Sequence, residues 1–206
     1  MGTDPLKRTA APVLVLIAIG LLAVLLPQSA AAGINYLMGL ESGVSWFFLY
    51  DQDFEEVIVP PQWCYGFHFN VIADFDWARN ISLEANYVRS EGRGEIKPND
   101  DRENIQFRMA ADRGSLNVSY FFGGAVYDPF ISGGLGAVHL SYDPEKEKTE
   151  REMDFSVNVG GGLDFKLAKH FLAGARVRYT WILPSGALVH GHASDLDVVL
   201  RISARF

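Results

Sequence analysis

Between Trp63 and Phe75 every odd position is apolar: Trp63, Tyr65, Phe67, Phe69, Val71, Ala73 and Phe75. The even positions hold Cys64, Gly66, His68, Asn70, Ile72 and Asp74. Side chains of a strand alternate between two faces, so this segment presents one greasy, aromatic face and one mostly polar face. The pattern returns from Met153 to Leu167, where Asp154, Ser156, Asn158, Asp164 and Lys166 fill even positions between apolar neighbours. Strands of soluble sandwiches average about five or six residues, whereas tilted strands that cross a bilayer need about nine to eleven. These runs have the longer length and they recur. They point to an all-β chain, a transmembrane β-barrel.

The N-terminus points to export. Lys7 and Arg8 precede an apolar stretch from Val13 to Leu26, Pro27 breaks it, and Ala30, Ala31 and Ala32 supply small residues before Gly33. A basic start, a short apolar run and a small-residue exit describe a secretory signal peptide, and the run is shorter than the roughly 20 residues a spanning helix needs. The expected division is a signal peptide over 1–32 and a barrel over 33–206. Removing 32 of the 206 residues leaves 174, one domain by size.

The whole chain carries 18 basic and 25 acidic residues, a formal net charge of −7. Cleavage would remove Lys7, Arg8 and Asp4 and make the remainder one charge more acidic. Nucleic acid asks for basic stripes, so it is not an expected partner. Cys64 is the single cysteine. No disulfide can form within the chain, and the ladders alone must hold the fold.

Eight strands are expected. The first, Tyr36 to Tyr50, sets Met38, Leu40, Val44, Trp46 and Phe48 opposite Glu41 and Ser45. A loop through Asp51, Asp53, Glu55, Glu56 and Pro60-Pro61 leads to the second, already described. The third carries Ile81, Leu83, Ala85 and Tyr87 against Ser82, Glu84 and Asn86, and a polar loop is expected from Ser90 to Asn104. In the fourth, Ile105, Phe107, Met109 and Ala111 hold odd parity, but after Asp112-Arg113-Gly114 the apolar set is even: Leu116, Val118, Tyr120 and Phe122. A one-residue slip swaps the faces of a strand, so a bulge is expected here; two strands and a tight turn are the alternative. The fifth runs from about Pro129 to Tyr142, the sixth from Met153 to Leu167, the seventh from Phe171 to Leu183, and the eighth ends the chain at Phe206.

Long loops alternate with short turns, as in barrels with extracellular loops and periplasmic turns. Trp46, Tyr50, Trp63, Tyr65 and Trp181 fall near the loops; Phe75, Trp77, Phe122, Phe171 and Phe206 fall near the turns. Interfaces favour aromatics, so these are two expected girdles. The final strand must close against the first, because an unpaired edge cannot stand in lipid. Glu41, His68, Asp74, Glu84, Arg108, Asp154, Asp164, Lys166, Arg176, Arg178, Asp197, Arg201 and Arg205 are expected to point inward. An eight-stranded barrel is only wide enough for its own side chains to fill. A packed ion-pair lumen, without a wide pore, is the expectation.

No catalytic, cofactor or metal residue is assigned from the sequence. His68, His139, His190 and His192, with Ser185, Ser194, Asp195 and Asp197, are the types a lipid esterase or acyltransferase would need, but no motif places nucleophile, base and orienting group together. His190 and His192 with Asp195 and Asp197 could offer ligands to a metal; solvated loop histidines are the simpler account. Gly133–Gly136 and Gly160–Gly162 lack the strand–loop–helix context and lysine of a phosphate loop and read as structural. The acidic stretches Glu91–Glu103 and Asp143–Glu152 read as solvated surface, with cation bridging or a basic partner as the functional version.

Tyr36–Trp46 with its Gly-Leu-Glu-Ser-Gly, Ser115–Phe122, the glycine-rich Pro129–Tyr142 and the closing Leu196–Phe206 resemble the small outer-membrane barrels related to the outer-membrane protein A transmembrane domain and opacity-type surface antigens. The resemblance implies a structural or adhesive, porin-like surface protein without catalysis. The expected partners are outer-membrane lipid, the barrel-assembly machinery through the strand ending at Phe206, and an unknown extracellular partner met by the loops. A soluble periplasmic ligand-binding barrel stands as the other alternative; it would turn its apolar faces inward.

Overall fold

The computed structural model describes residues 34–50, 54–73, 80–98, 104–144, 150–183 and 192–206. The export segment expected at 1–32, and Asp74, Phe75, Trp77, Ser185 and His190, lie outside them. The described residues form nine strands: β1 (Ile34–Tyr50), β2 (Phe54–Ile58), β3 (Gln62–Ala73), β4 (Ile81–Pro98), β5 (Ile105–Phe121), β6 (Tyr127–Pro144), β7 (Glu150–Ala168), β8 (Phe171–Leu183) and β9 (His192–Arg205). Eight of them make the wall, in the order β4-β3-β1-β9-β8-β7-β6-β5, and β5 pairs back onto β4. This is a closed antiparallel barrel of eight staves. β2 is a short upward continuation beyond β3, paired with the end of β4 as Val57↔Ile96 and Ile58↔Glu95.

Closure follows the expectation. Leu37 to Tyr50 of β1 pair with Arg205 to His192 of β9, and the Phe206 N–H donates to the Tyr36 carbonyl at 2.9 Å. Around the middle of the wall the outward residues are apolar and exposed, among them Leu40, Leu83, Leu116, Val118, Leu135, Val159, Val177 and Leu200. Of the described girdle residues Trp63, Tyr65, Trp181, Phe122, Phe171 and Phe206 are exposed, and Trp46 is half-buried.

Two sequence expectations fail at the end of the barrel expected to be extracellular, for one reason. β5 has no bulge: its ladders to β4 and β6 run without a register shift from Ile105 to Phe121. It is one strand, and odd parity faces inward along its whole length. Phe107, Met109 and Ala111 are buried inside, while Leu116, Val118 and Tyr120 are exposed outside. The segment expected as a loop from Ser90 is strand as far as Pro98, with the outward faces of Arg89, Glu91, Arg93, Glu95 and Lys97 following Ile81, Leu83, Ala85 and Tyr87. β6 likewise reaches Pro144, beyond the expected end. Above the membrane the outer face meets water, so the apolar residues change sides while the backbone keeps its register. Phe47, Ile96, Phe107, Met109, Ala111, Val138, Leu140, Ile182 and Ala193 form a buried apolar cap there.

Candidate functional site

Below the cap the interior is ionic. In the ring of staves β8 lies four places from β4, across the full width of the barrel, and β5 stands in the same relation to β9. Arg176 of β8 spans that width to Glu84 of β4 through two parallel bonds, Nη1 to Oε1 at 2.6 Å and Nη2 to Oε2 at 2.5 Å. Two bonds aligned with a planar carboxylate are the strongest geometry an arginine offers. Arg178, two residues on, donates to Asn86 Oδ1 at 2.5 Å and to Asp197 Oδ2 at 2.7 Å. Arg113 of β5 crosses to β9, donating to Asp197 Oδ1 at 2.9 Å and lying 2.9 Å from Asp195 Oδ2 and 3.1 Å from Ser45 Oγ. Arg201 binds both carboxylate oxygens of Asp164, with 2.8 Å from Nε to Oδ1.

Glu41 joins the layers. Its Oε1 accepts from Asn86 at 2.6 Å, and it lies 3.8 Å from both Arg176 and Arg178. Two rings stack against the guanidinium groups: Phe130 lies 4.6 Å from Arg201 and 5.3 Å from Arg176, and Phe47 lies 5.2 Å from Arg113. The glycine runs make room for this filling. A Cβ on Gly162 would stand 2.7 Å from the Phe130 ring, so a side chain there would displace the ring beside Arg176. Between Arg113 and Arg178 a cavity of about 10 Å³ is lined by Asn86, Ser115, Ser156, Asn158 and Thr180, room for about one water molecule.

Most of the expected interior charges are placed together. Glu41, His68, Glu84, Asp154, Asp164, Arg176, Arg178, Asp197 and Arg201 are buried. Arg108 is not: it has even parity on unbulged β5 and is exposed outside. Lys166 is exposed at the rim of the short turns, where it donates to the Gly124 carbonyl at 2.5 Å. Sequence reasoning missed Arg113 and Asp195. Asp112-Arg113-Gly114 looks like a turn, and Asp195 adjoins a loop; unbroken odd parity through both strands was the signal for each.

The candidate catalytic and metal sets separate. His68 Nε2 shares a 2.9 Å hydrogen bond with Ser203 Oγ, and its Nδ1 lies 3.9 Å from Glu41. All three are buried. His139 faces outward, 3.9 Å from Asp112, which also accepts from Tyr87 and Arg89. Ser194 is hydrogen-bonded by the Tyr179 hydroxyl at 2.9 Å. His192 is exposed, whereas Asp195 and Asp197 lie on the opposite, inward face and are held by Arg113. Strand alternation therefore puts His192 on the other side of the wall from Asp195 and Asp197.

Comparison with known proteins agrees with this architecture. No curated protein matches the sequence significantly. Three solved structures share the fold: neisserial surface protein A (10% identity, TM-score 0.58, covering 84% of this chain and 99% of that one); outer membrane protein OprG of Pseudomonas aeruginosa (15%, 0.57, 85% and 96%); and Ail, the attachment invasion locus protein of Yersinia pestis, in complex with the heparin analogue sucrose octasulfate (11%, 0.55, 84% and 99%). At such identities the likeness is one of fold. The model of a family described as "Outer membrane protein beta-barrel domain" matches residues 15–201. An apolar belt, a closed ring of eight staves and that match lead to one conclusion: the chain belongs to the outer-membrane protein β-barrel domain family and resides in the cell outer membrane.

Proposed function

We propose that this protein is a structural, surface-presenting barrel whose lumen is closed, exported by cleavage before Gly33 and assembled through its C-terminal strand. The observation that carries the reading is the pair of struts, Arg176–Glu84 and Arg113–Asp197, thrown across the full width of the barrel at two levels. Charges removed from water persist when they are paired and hydrogen-bonded, and opening a pore would cost both struts. Catalysis is not part of the proposed role. His68, Ser203 and Glu41 have a suggestive arrangement, but a nucleophile needs access to its substrate, and Ser203 is 2% exposed inside the wall. The outward charges above the membrane, with acids dominating the loop stretches, are the proposed contact surface for a basic or cation-bridged partner.

Planar-bilayer recording of the purified full chain tests closure. The reading expects no steady open-pore current, and current bursts in Arg113→Ala/Arg176→Ala once both struts are cut. A sustained porin-sized conductance from the unaltered protein would contradict it.

A further inference from the structure

Charges on the outer face above the lipid-facing belt are unevenly partnered. Arg89 donates to Glu91 at 2.6 Å and to Asp112 at 2.8 Å. Arg93 and Arg108 stand directly opposite each other in the β4–β5 ladder, both outward and both exposed. Among the described residues neither guanidinium has a hydrogen-bond or ion-pair partner. The three flanking carboxylates are committed. Glu91 is taken by Arg89, and Glu95 accepts from Asn104 and, at 2.8 Å, from Gln106. Asp143, opposite Arg108 on β6, has a partner of its own. Along the other edge of β4 the ladder to β3 ends at Glu91 and the ladder to β2 begins at Glu95. Arg93 falls in the gap between them.

Like charges directly opposite on neighbouring strands repel, with their Cβ atoms about 5 Å apart. Water screens that repulsion enough for the empty pair to stand. The β4–β5 ladder runs without a register shift from Ile81 to Ile96, so the wall itself holds the two side chains at this spacing. Each guanidinium is a flat fork of donors with no acceptor. One arginine satisfies a carboxylate, as Arg89 does both oxygens of Asp112. A phosphate monoester carries about two negative charges and three strong acceptor oxygens, which suits two forks. Beside the pair stand the exposed amides of Asn104 and Gln106 and the half-buried Ser141, groups that hydrogen-bond ring hydroxyls. Arg108 lies four residues beyond Asp112, roughly 13 Å along the strand. That level is above the acyl chains and within reach of a headgroup.

We propose that Arg93 and Arg108 form a clamp for a phosphate monoester borne on a sugar ring. The ring belongs either to a lipid headgroup beside this end of the barrel or to a soluble sugar phosphate. Both guanidinium groups close on the one phosphate, and the charge it brings relieves their opposition. The site goes beyond the proposed surface role and does not depend on it.

Calorimetric titration of the full chain in detergent with glucose 6-phosphate tests the clamp. Saturable binding at one site is expected, and glucose 6-sulfate, a monoanion, should bind severalfold more weakly. Arg93→Gln/Arg108→Gln should lower the affinity at least about tenfold, as expected for lost hydrogen bonds to a charged group. Arg93→Lys/Arg108→Lys keeps the charge without the forks and should bind severalfold more weakly than the unaltered chain. Lys166→Gln/Lys169→Gln, the same charge change at the rim of the short turns, should leave binding unaltered. Native mass spectrometry of the chain released from nanodiscs reads the source. Retention of phosphatidylinositol 4-phosphate over phosphatidylinositol, lost in the glutamine double variant, supports a lipid-borne ligand. Glucose 6-phosphate binding without that preference supports a soluble one. Binding undiminished in the glutamine double variant, or equal binding of the sulfate, would overturn the clamp. So would neither probe binding.

Discussion

Along β5, Asn117 and Ser119 face a polar interior while Leu116, Val118 and Tyr120 face out; a few residues higher, Phe107, Met109 and Ala111 face in while Arg108 and Asp112 face out. Register and parity are identical in the two halves. Only the surroundings change, from hydrocarbon to water. In the lower half exposed apolar area costs nothing against lipid and the core is left to charge; in the upper half the hydrophobic effect operates as in a soluble protein and collects a greasy core. The two halves are therefore held by different forces, and substitutions should separate them.

The largest effect should come from breaking the ionic half. Glu84→Leu leaves Arg176 buried without its paired oxygens, and losing one partner of such a pair costs about 3–5 kcal/mol. Urea unfolding in lipid vesicles should show it, and Glu84→Leu/Arg176→Met should recover most of the loss. Leu140→Ala removes a buried side chain from the cap, where truncations of this kind cost about 2–5 kcal/mol. Hydrogen exchange should localise that loss to the upper parts of β4, β5 and β6, leaving the amides around Glu84 protected. Uniform loss of protection would mean that the halves are one cooperative unit. Val118→Arg places a charge on the lipid face, at about 2–4 kcal/mol near the midplane. Ala110→Arg has the same parity on the same strand and should stay within about 0.5 kcal/mol, as surface changes do. Equal costs for these last two would erase the distinction.

Much of the fold was legible because one periodicity, read in long runs, identifies both a strand and its solvent. Trp63 to Ile72 and Met153 to Leu167 never leave the membrane zone for long, so their faces read cleanly. The cap was hidden by the same rule. Glu91, Arg93 and Glu95 look like a solvated loop because water, not lipid, is what they face, and nothing local in Ser90–Pro98 says that Ile96 pairs with Ile105. In β5 the exchange of apolar residues from odd to even positions was a real signal with the wrong cause: a bulge and a change of medium give the same string. The ionic lumen was foreseen through Glu84, Arg176, Arg178 and Asp197. Its partner choices were not, since struts between strands four staves apart depend on barrel width and stagger rather than on any spacing in the chain.

Spin labels placed singly along the outward face of β5, at Arg108, Asp112, Leu116 and Val118, measure the medium directly through relaxation by oxygen and by a water-soluble nickel chelate. The account predicts nickel accessibility at Arg108, a crossover near Asp112, and oxygen accessibility at Leu116 and Val118 in reconstituted vesicles. Oxygen-shielded labels at Leu116 and Val118 would contradict it, because those side chains would then be facing protein instead of acyl chains.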